Sequence, residues 1–169
     1  IEPYAREGFA FSGTETPGAY NRDGTPKPGA KVLYVTNETA NTVTCKVLND
    51  KGVALTYTGI SAILTAKGKG YDPSPLIIRF IGQIHASSVE GLKDANYISV
   101  TGFNNTNRKI RNVTLEGIGD DATAYGFGFF MKRTALIEIR NLGIMLFGDD
   151  AISLDTDNAG IWIHNNDFF

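Results

Sequence analysis

The sequence predicts an all-β protein: a right-handed parallel β-helix, or solenoid, with a short N-terminal capping helix, incomplete and continued by another chain. One observation behind this is a repeat. Val113, Ile137 and Ile161 lie 24 positions apart, as do Leu115, Ile139 and Ile163, and Asn141 and Asn165 take the same step. Phe127 and Ala151, Gly128 and Ile152, and Phe130 and Leu154 share the interval, so two strands per repeat are expected to keep one register. A sandwich or antiparallel barrel needs no constant interval, whereas a solenoid stacks like residues once per turn of chain. A further observation is that, from Leu76 onward, the chain is a series of short β-type runs broken by Gly, Asn and Asp, with no second helix.

The elements follow in order. Residues 1–30, rich in Gly, Pro, Thr and Asp, lack apolar periodicity and read as an extended N-terminal surface arm. Residues 31–169 form the β-helix domain, its N-terminal rungs and cap. Within it, Val32 to Thr36 and Val43 to Val47 alternate apolar and polar residues around an Asn- and Thr-rich turn, as a hairpin-like pair would. Ile60, Ile63 and Leu64 have helical spacing, with Thr58 placed to cap the start and Gly68 to end it. The runs "LIIRFIGQI", "YISVTGF", "NVTLEGIG", "FGFFM", "LIEIRNLGIM", "AISL" and "IWIHNNDFF" supply the strands. Asn141 and Asn165 suit stacked turns, because Asn tolerates left-handed backbone and its amide can bond to the next copy.

Composition narrows the functional classes. The chain is 42% hydrophobic and 20% charged, enough for one domain with a core, and its net charge of -2 argues against a nucleic-acid binder. No apolar run nears the roughly 18 residues of a membrane span, and the first residues have no signal-peptide core. Cys45 has no disulfide partner and reads as a small buried hydrophobe. The sequons at Asn37, Asn104 and Asn112 are of a kind that arises by chance in Asn- and Thr-rich sequence.

The candidate chemistry lies in Asp149 and Asp150, beside "AISL". Two adjacent carboxylates can be turn formers, oxygen ligands of a calcium ion, or an acid and base pair for glycoside hydrolysis. Asp120-Asp121 is a second such pair in a loop. His164 and Trp162 have parity opposite to Ile161 and Ile163, placing both on the outer face, where Trp162 is available to stack on a sugar ring or to cover the sheet. His85 reads as a surface or turn residue. Lys132-Arg133 and Arg140 could draw in an anionic polymer, although a solvated turn explains the first two equally well.

From Val113 to Phe169 the chain resembles the first rungs of the family 1 polysaccharide lyases, the pectate lyases. The resemblance rests on "IRNLGI", "DAISLD" and "IWIHNNDFF", with a weaker match back to Leu76. It implies a secreted parallel β-helix enzyme that cleaves polygalacturonate by β-elimination with the help of calcium. The family's Asp before the Ala-Ile pair is a calcium ligand and corresponds to Asp150. A second acidic ligand often stands two residues earlier, where this chain has Gly148, leaving Asp149 as its substitute. His164 and Asn165 occupy positions where the family usually has Asp and His. Its other calcium ligands and its arginine base lie on later rungs, beyond Phe169, so a second chain is expected to supply them. A polygalacturonase-like hydrolase and a non-catalytic polysaccharide-binding β-helix remain as alternatives; an unsaturated product absorbing in the ultraviolet separates elimination from hydrolysis. In the assembled enzyme, Asp150→Ala is expected to abolish calcium-dependent cleavage, and full retained activity would overturn the assignment.

Overall fold

The computed structural model describes residues 6–103 and 108–169, so the sequon at Asn104 falls outside the described residues. The elements, in order, are β1 (Lys31–Val35), β2 (Thr44–Leu48), β3 (Ala54–Thr58), α1 (Ile60–Gly68), β4 (Leu76–His85), β5 (Tyr97–Thr101), β6 (Ile110–Tyr125), β7 (Gly128–Lys132), β8 (Thr134–Arg140), β9 (Gly143–Met145), β10 (Ile152–Leu154), β11 (Ala159–His164) and β12 (Asp167–Phe168). The fold is mostly β, and its two larger sheets are parallel. One runs β1-β4-β6-β8-β11, with β9 beside β6 and β12 beside β9; the other runs β5-β7-β10. No helix among the described residues is long and apolar enough to cross a membrane.

Pairing follows the apolar columns in the first sheet. Val113, Ile137 and Ile161 are register partners, and so are Leu115, Ile139 and Ile163. Val113, Leu115, Ile137 and Ile139 are fully buried, where they pack with Leu76, Ile78 and Phe80 of β4 and with Ile98, Phe129 and Met131 of the facing sheet. Asn141 and Asn165 both have left-handed backbone, and the Asn141 amide donates to the Gly117 carbonyl at 2.8 Å, 24 residues earlier.

The second sheet departs from the expected interval. Phe129 pairs with Ile152, Phe130 with Ser153 and Met131 with Leu154, a step of 23, so the Gly128/Ile152 and Phe130/Leu154 columns are each displaced by one residue. Turn lengths explain the slip. The chain leaves the sheet around Gly119 to Asp121, so Thr123 pairs with Gly143 at a step of 20. A longer turn between β9 and β10 recovers most of that difference, and the turn between β10 and β11 recovers the rest. Since strand side chains alternate between faces, the step of 23 puts Ser99, Phe130 and Ser153 together on one side.

The expected hairpin of β1 and β2 is also corrected. β1 pairs in parallel with β4, and β2 pairs antiparallel with β3, the alternating run "ALTYT" that follows it. β1 already has a full apolar partner in "LIIRF", whereas β3 is reached from β2 through a tight turn in which Gly52 donates to the Asn49 carbonyl. Helix α1 forms where expected, burying Ile60, Ile63 and Leu64 against β2, β3 and β5. Its N-cap is Gly59 with no side-chain bond, because Thr58 is the last residue of β3. Cys45 is buried, which pushes its thiol above the ordinary range.

The outward face of the β4-β6-β8-β11 part of the larger sheet is charged and largely buried. Arg79, Glu116, Arg140 and His164 are successive register neighbours, as are Thr114, Glu138 and Trp162. Glu116 accepts from Arg79 Nε at 2.8 Å, from Arg140 Nε and Nη2 at 2.9 and 2.6 Å, and from the Tyr20 hydroxyl at 2.7 Å. Glu138 accepts from Arg6 at 2.9 Å and Thr114 at 3.0 Å, with His164 Nε2 at 3.2 Å and Arg140 Nη1 at 3.4 Å. Arg140, expected to face an anionic polymer, is instead 4% exposed inside this network. The N-terminal segment, expected as a surface arm, supplies the cover. Arg6, Phe11, Ala19 and Tyr20 are buried, and Phe11 meets Trp162 edge-on while Trp162 stacks on His164. Gly18 passes so close to the sheet that a Cβ there would lie 2.6 Å from Glu138 Cβ.

Burial alone would raise the Glu138 pKa, but the His164 hydrogen bond, the Arg140 and Arg6 charges and the Thr114 hydroxyl hold it below the ordinary value of 4.5. Below that pH the unfolded chain therefore takes up protons that the folded chain still refuses. Stability is expected to be full above about pH 4.5 and to fall as acidification reaches the lower folded value, read as a declining urea midpoint between pH 7 and pH 3. Glu138→Gln is expected to cost about 3–5 kcal/mol at pH 7, because it strands Arg6, and to flatten that decline. An unchanged acid slope in the variant would contradict the assignment.

Candidate functional site

The outer face of the β5-β7-β10 sheet offers the setting for chemistry that the sequence singled out, because Asp149 and Asp150 immediately precede β10. Register places Ser99, Phe130 and Ser153 in one outward row and Thr101 and Lys132 in the next. Asp155, just past β10, extends the second row: Lys132 Nζ donates to its Oδ2 at 2.5 Å. Hydrogen bonds from Lys132 and then Thr156 hold the Asp155 carboxyl below the usual range. The Ser99 and Thr101 hydroxyls lie 2.8 Å apart. The result is an open, polar strip with one cation at its centre.

Asp149 and Asp150 are both exposed. The Asp150 backbone N–H donates to the hydroxyl of buried Tyr97 at 2.7 Å, and the Tyr97 ring packs against Phe130 with centroids 5.8 Å apart. That bond ties the carboxylate pair to the first strand of the sheet, 53 residues away in sequence. At Gly148, a Cβ would lie 2.8 Å from the Ala95 carbonyl oxygen and 3.3 Å from its carbon. Both are backbone atoms that cannot swing aside, so this backbone has no room for an acidic side chain there.

Calcium takes six to eight oxygen ligands at about 2.3–2.6 Å. Asp149 and Asp150 supply two carboxylates, and among the described residues no group of three or more His, Cys, Asp and Glu side chains stands ready to hold a metal ion. These residues therefore do not by themselves fit a calcium site.

The other candidates are dispersed. His164 and Trp162 lie on the outer face of the opposite sheet, beneath Phe11 and Arg6. His85 packs on Tyr125 with centroids 4.6 Å apart. Arg133 turns away, its Nε donating to the Gly102 carbonyl at 3.0 Å. Asp120 and Asp121 sit in the excursion of β6, remote in register from β10. Sequence reasoning passed over Tyr97 and Asp155. The available signal for Asp155 was its opposite charge to Lys132, one repeat away.

No protein-family model matches the chain, and no curated protein sequence matches it. Among solved structures, the fold is similar to that of pectate lyase Bsp165PelA from Bacillus sp. N165, determined in complex with trigalacturonate. The TM-score is 0.63 at 19% sequence identity, over 96% of this chain and 42% of the other. The chain thus spans less than half of that protein's length, and at this identity the likeness is one of fold.

The crowding at residue 148 is directly testable. Gly148→Asp, which restores the acid that the resemblance leads one to expect, should lower stability by about 1–3 kcal/mol in a urea titration and should create no calcium-induced rise in melting temperature. A stable variant with such a rise would show that the backbone yields.

Proposed function

We propose that this chain forms coils of a right-handed parallel β-helix, capped by α1, that acts on an acidic polysaccharide of the polygalacturonate type. The observation that carries this reading is the open outer face of β5-β7-β10, with Lys132 among hydroxyl groups, in a fold similar to that of a lyase solved with trigalacturonate. A flat strip of parallel strands suits an extended polymer, and its lysine complements a uronate carboxylate. Lys132 is partly exposed and its bond to Asp155 lies at the surface, so exchanging Asp155 for a substrate carboxylate carries little net cost.

In this reading the reaction is β-elimination, in which a base removes the C5 proton of a uronide and the glycosidic oxygen departs. Calcium bound near Asp150, with the chain's carboxylates as part of its ligand set, would supply charge neutralisation for the uronate. The contribution of the described residues is binding and orientation: Lys132 and the hydroxyl rows hold the polymer, and Tyr97 fixes the backbone that presents Asp150. The base and further calcium ligands belong to later coils. In this reading such coils stack beyond β10, β11 and β12, where Leu154, Phe168 and Phe169 are at least half exposed. A polymer of this size is met outside the cell, so the reading includes secretion.

The test is an ultraviolet assay on polygalacturonate with the protein in its complete assembly, with and without a chelator. An unsaturated product that disappears on chelation is expected. Reducing ends without ultraviolet absorbance would point to hydrolysis, and binding without shortening of the polymer would point to a binding module.

A further inference from the structure

Beside the polar strip, the surface falls away into two adjoining depressions of about 390 and 330 Å³ along α1. They share Thr65, Lys69 and Lys93, and the second opens onto Ser99, Thr101 and Phe103, the outward residues of β5 and the chain just after it. The polar strip therefore continues off the sheet into a groove.

Its lining carries a net positive charge, two lysines against one glutamate. The lysines that form ion pairs among the described residues are Lys31, Lys67, Lys109 and Lys132. Lys69 and Lys93 are exposed and share one concave surface, with Glu90 as the acid lining its far part. Two like charges facing a common groove repel one another and concentrate positive potential there, which an anion relieves. The neighbouring groups have matching chemistry: the Ser99 and Thr101 hydroxyls can bond to sugar hydroxyls, and Phe103, 48% exposed, presents an apolar ring. Apolar walls with a few placed polar groups are the usual composition of a small-molecule site.

We propose that this groove is a second uronate subsite, in which Lys69 and Lys93 bind the carboxylates of an acidic polysaccharide that runs on from the β5-β7-β10 face. The inference rests on the polyuronide reading above and extends it. β5 is the edge strand of that face and the groove lies beyond it, so only an oligomer that extends past β5 reaches the groove.

The experiment is isothermal titration, at fixed ionic strength, of trigalacturonate and of a longer oligogalacturonate into the protein and its Lys69→Ala/Lys93→Ala variant. A charge-matched control, Lys46→Ala/Lys51→Ala, removes two exposed lysines from the β2–β3 hairpin. The groove variant should lose about tenfold in affinity for the long oligomer and less than twofold for trigalacturonate, while the control keeps both. Equal losses for both lengths, or the same loss in the control, would make the effect general electrostatics and overturn the subsite. Unchanged binding by the groove variant overturns the subsite while leaving the polyuronide reading intact. No binding of either oligomer by the unaltered protein overturns both.

Discussion

Glu116 and Glu138 are each at most 1% exposed, and a carboxylate that deep survives as an anion only if cations and hydrogen-bond donors surround it. Parallel register is what brings those partners. Arg79 and Arg140 flank Glu116 because β4 and β8 flank β6 with equivalent residues opposite, and Thr114 reaches Glu138 by the same rule. Slipping any of these strands by one residue would turn the charges into the apolar interior and the isoleucines outward. The ladder and the core thus specify one register for these strands from opposite faces.

The two sheets consequently present different exteriors. The larger one is sealed by residues 6–20, which contribute Arg6 and Tyr20 to the ladder and Phe11 to the Trp162 ring. The three-stranded one has no such cover among the described residues, and its outward rows carry Ser99, Phe130 and Ser153, then Thr101 and Lys132. The side on which a ligand can lie is therefore decided by where the N-terminal segment lies. Trp162 and His164, attractive as isolated residues, belong to the sealed side.

Much of this was legible in the residues themselves. The interval of 24 marked β6, β8 and β11, because strands buried on one face must repeat their apolar parity to stack. The helix was visible because Ile60, Ile63 and Leu64 need only local spacing. The step of 23 between β7 and β10 was hidden, since it depends on turn lengths that carry no hydrophobic signal. β3 was overlooked because "ALTYT" is polar and mostly exposed. Nothing local announced the charge ladder: Arg6 and Glu138 are 132 residues apart, and each alone reads as a surface group. The carboxylate pair was found by its motif, yet its setting depends on Tyr97 and on the Ala95 backbone pressing against Gly148, neither of which adjacency in sequence reveals.

The sealing segment also imposes an order of assembly. Ala19 and Tyr20 pack on Ile77 of β4, but the segment's other contacts are with β6, β8 and β11, so Arg6 cannot complete its ion pair until a strand 132 residues further along is in place. Strands β1 and β4 can pair as they emerge, but Arg6 must wait for Glu138, which until then is a carboxylate in water. Formation of the stack can precede its closure, and such long-range closure is slow because chain entropy is lost before the contact forms. Residues 6–20 thereby act as a late latch, engaged only once the strands beneath them stand in register.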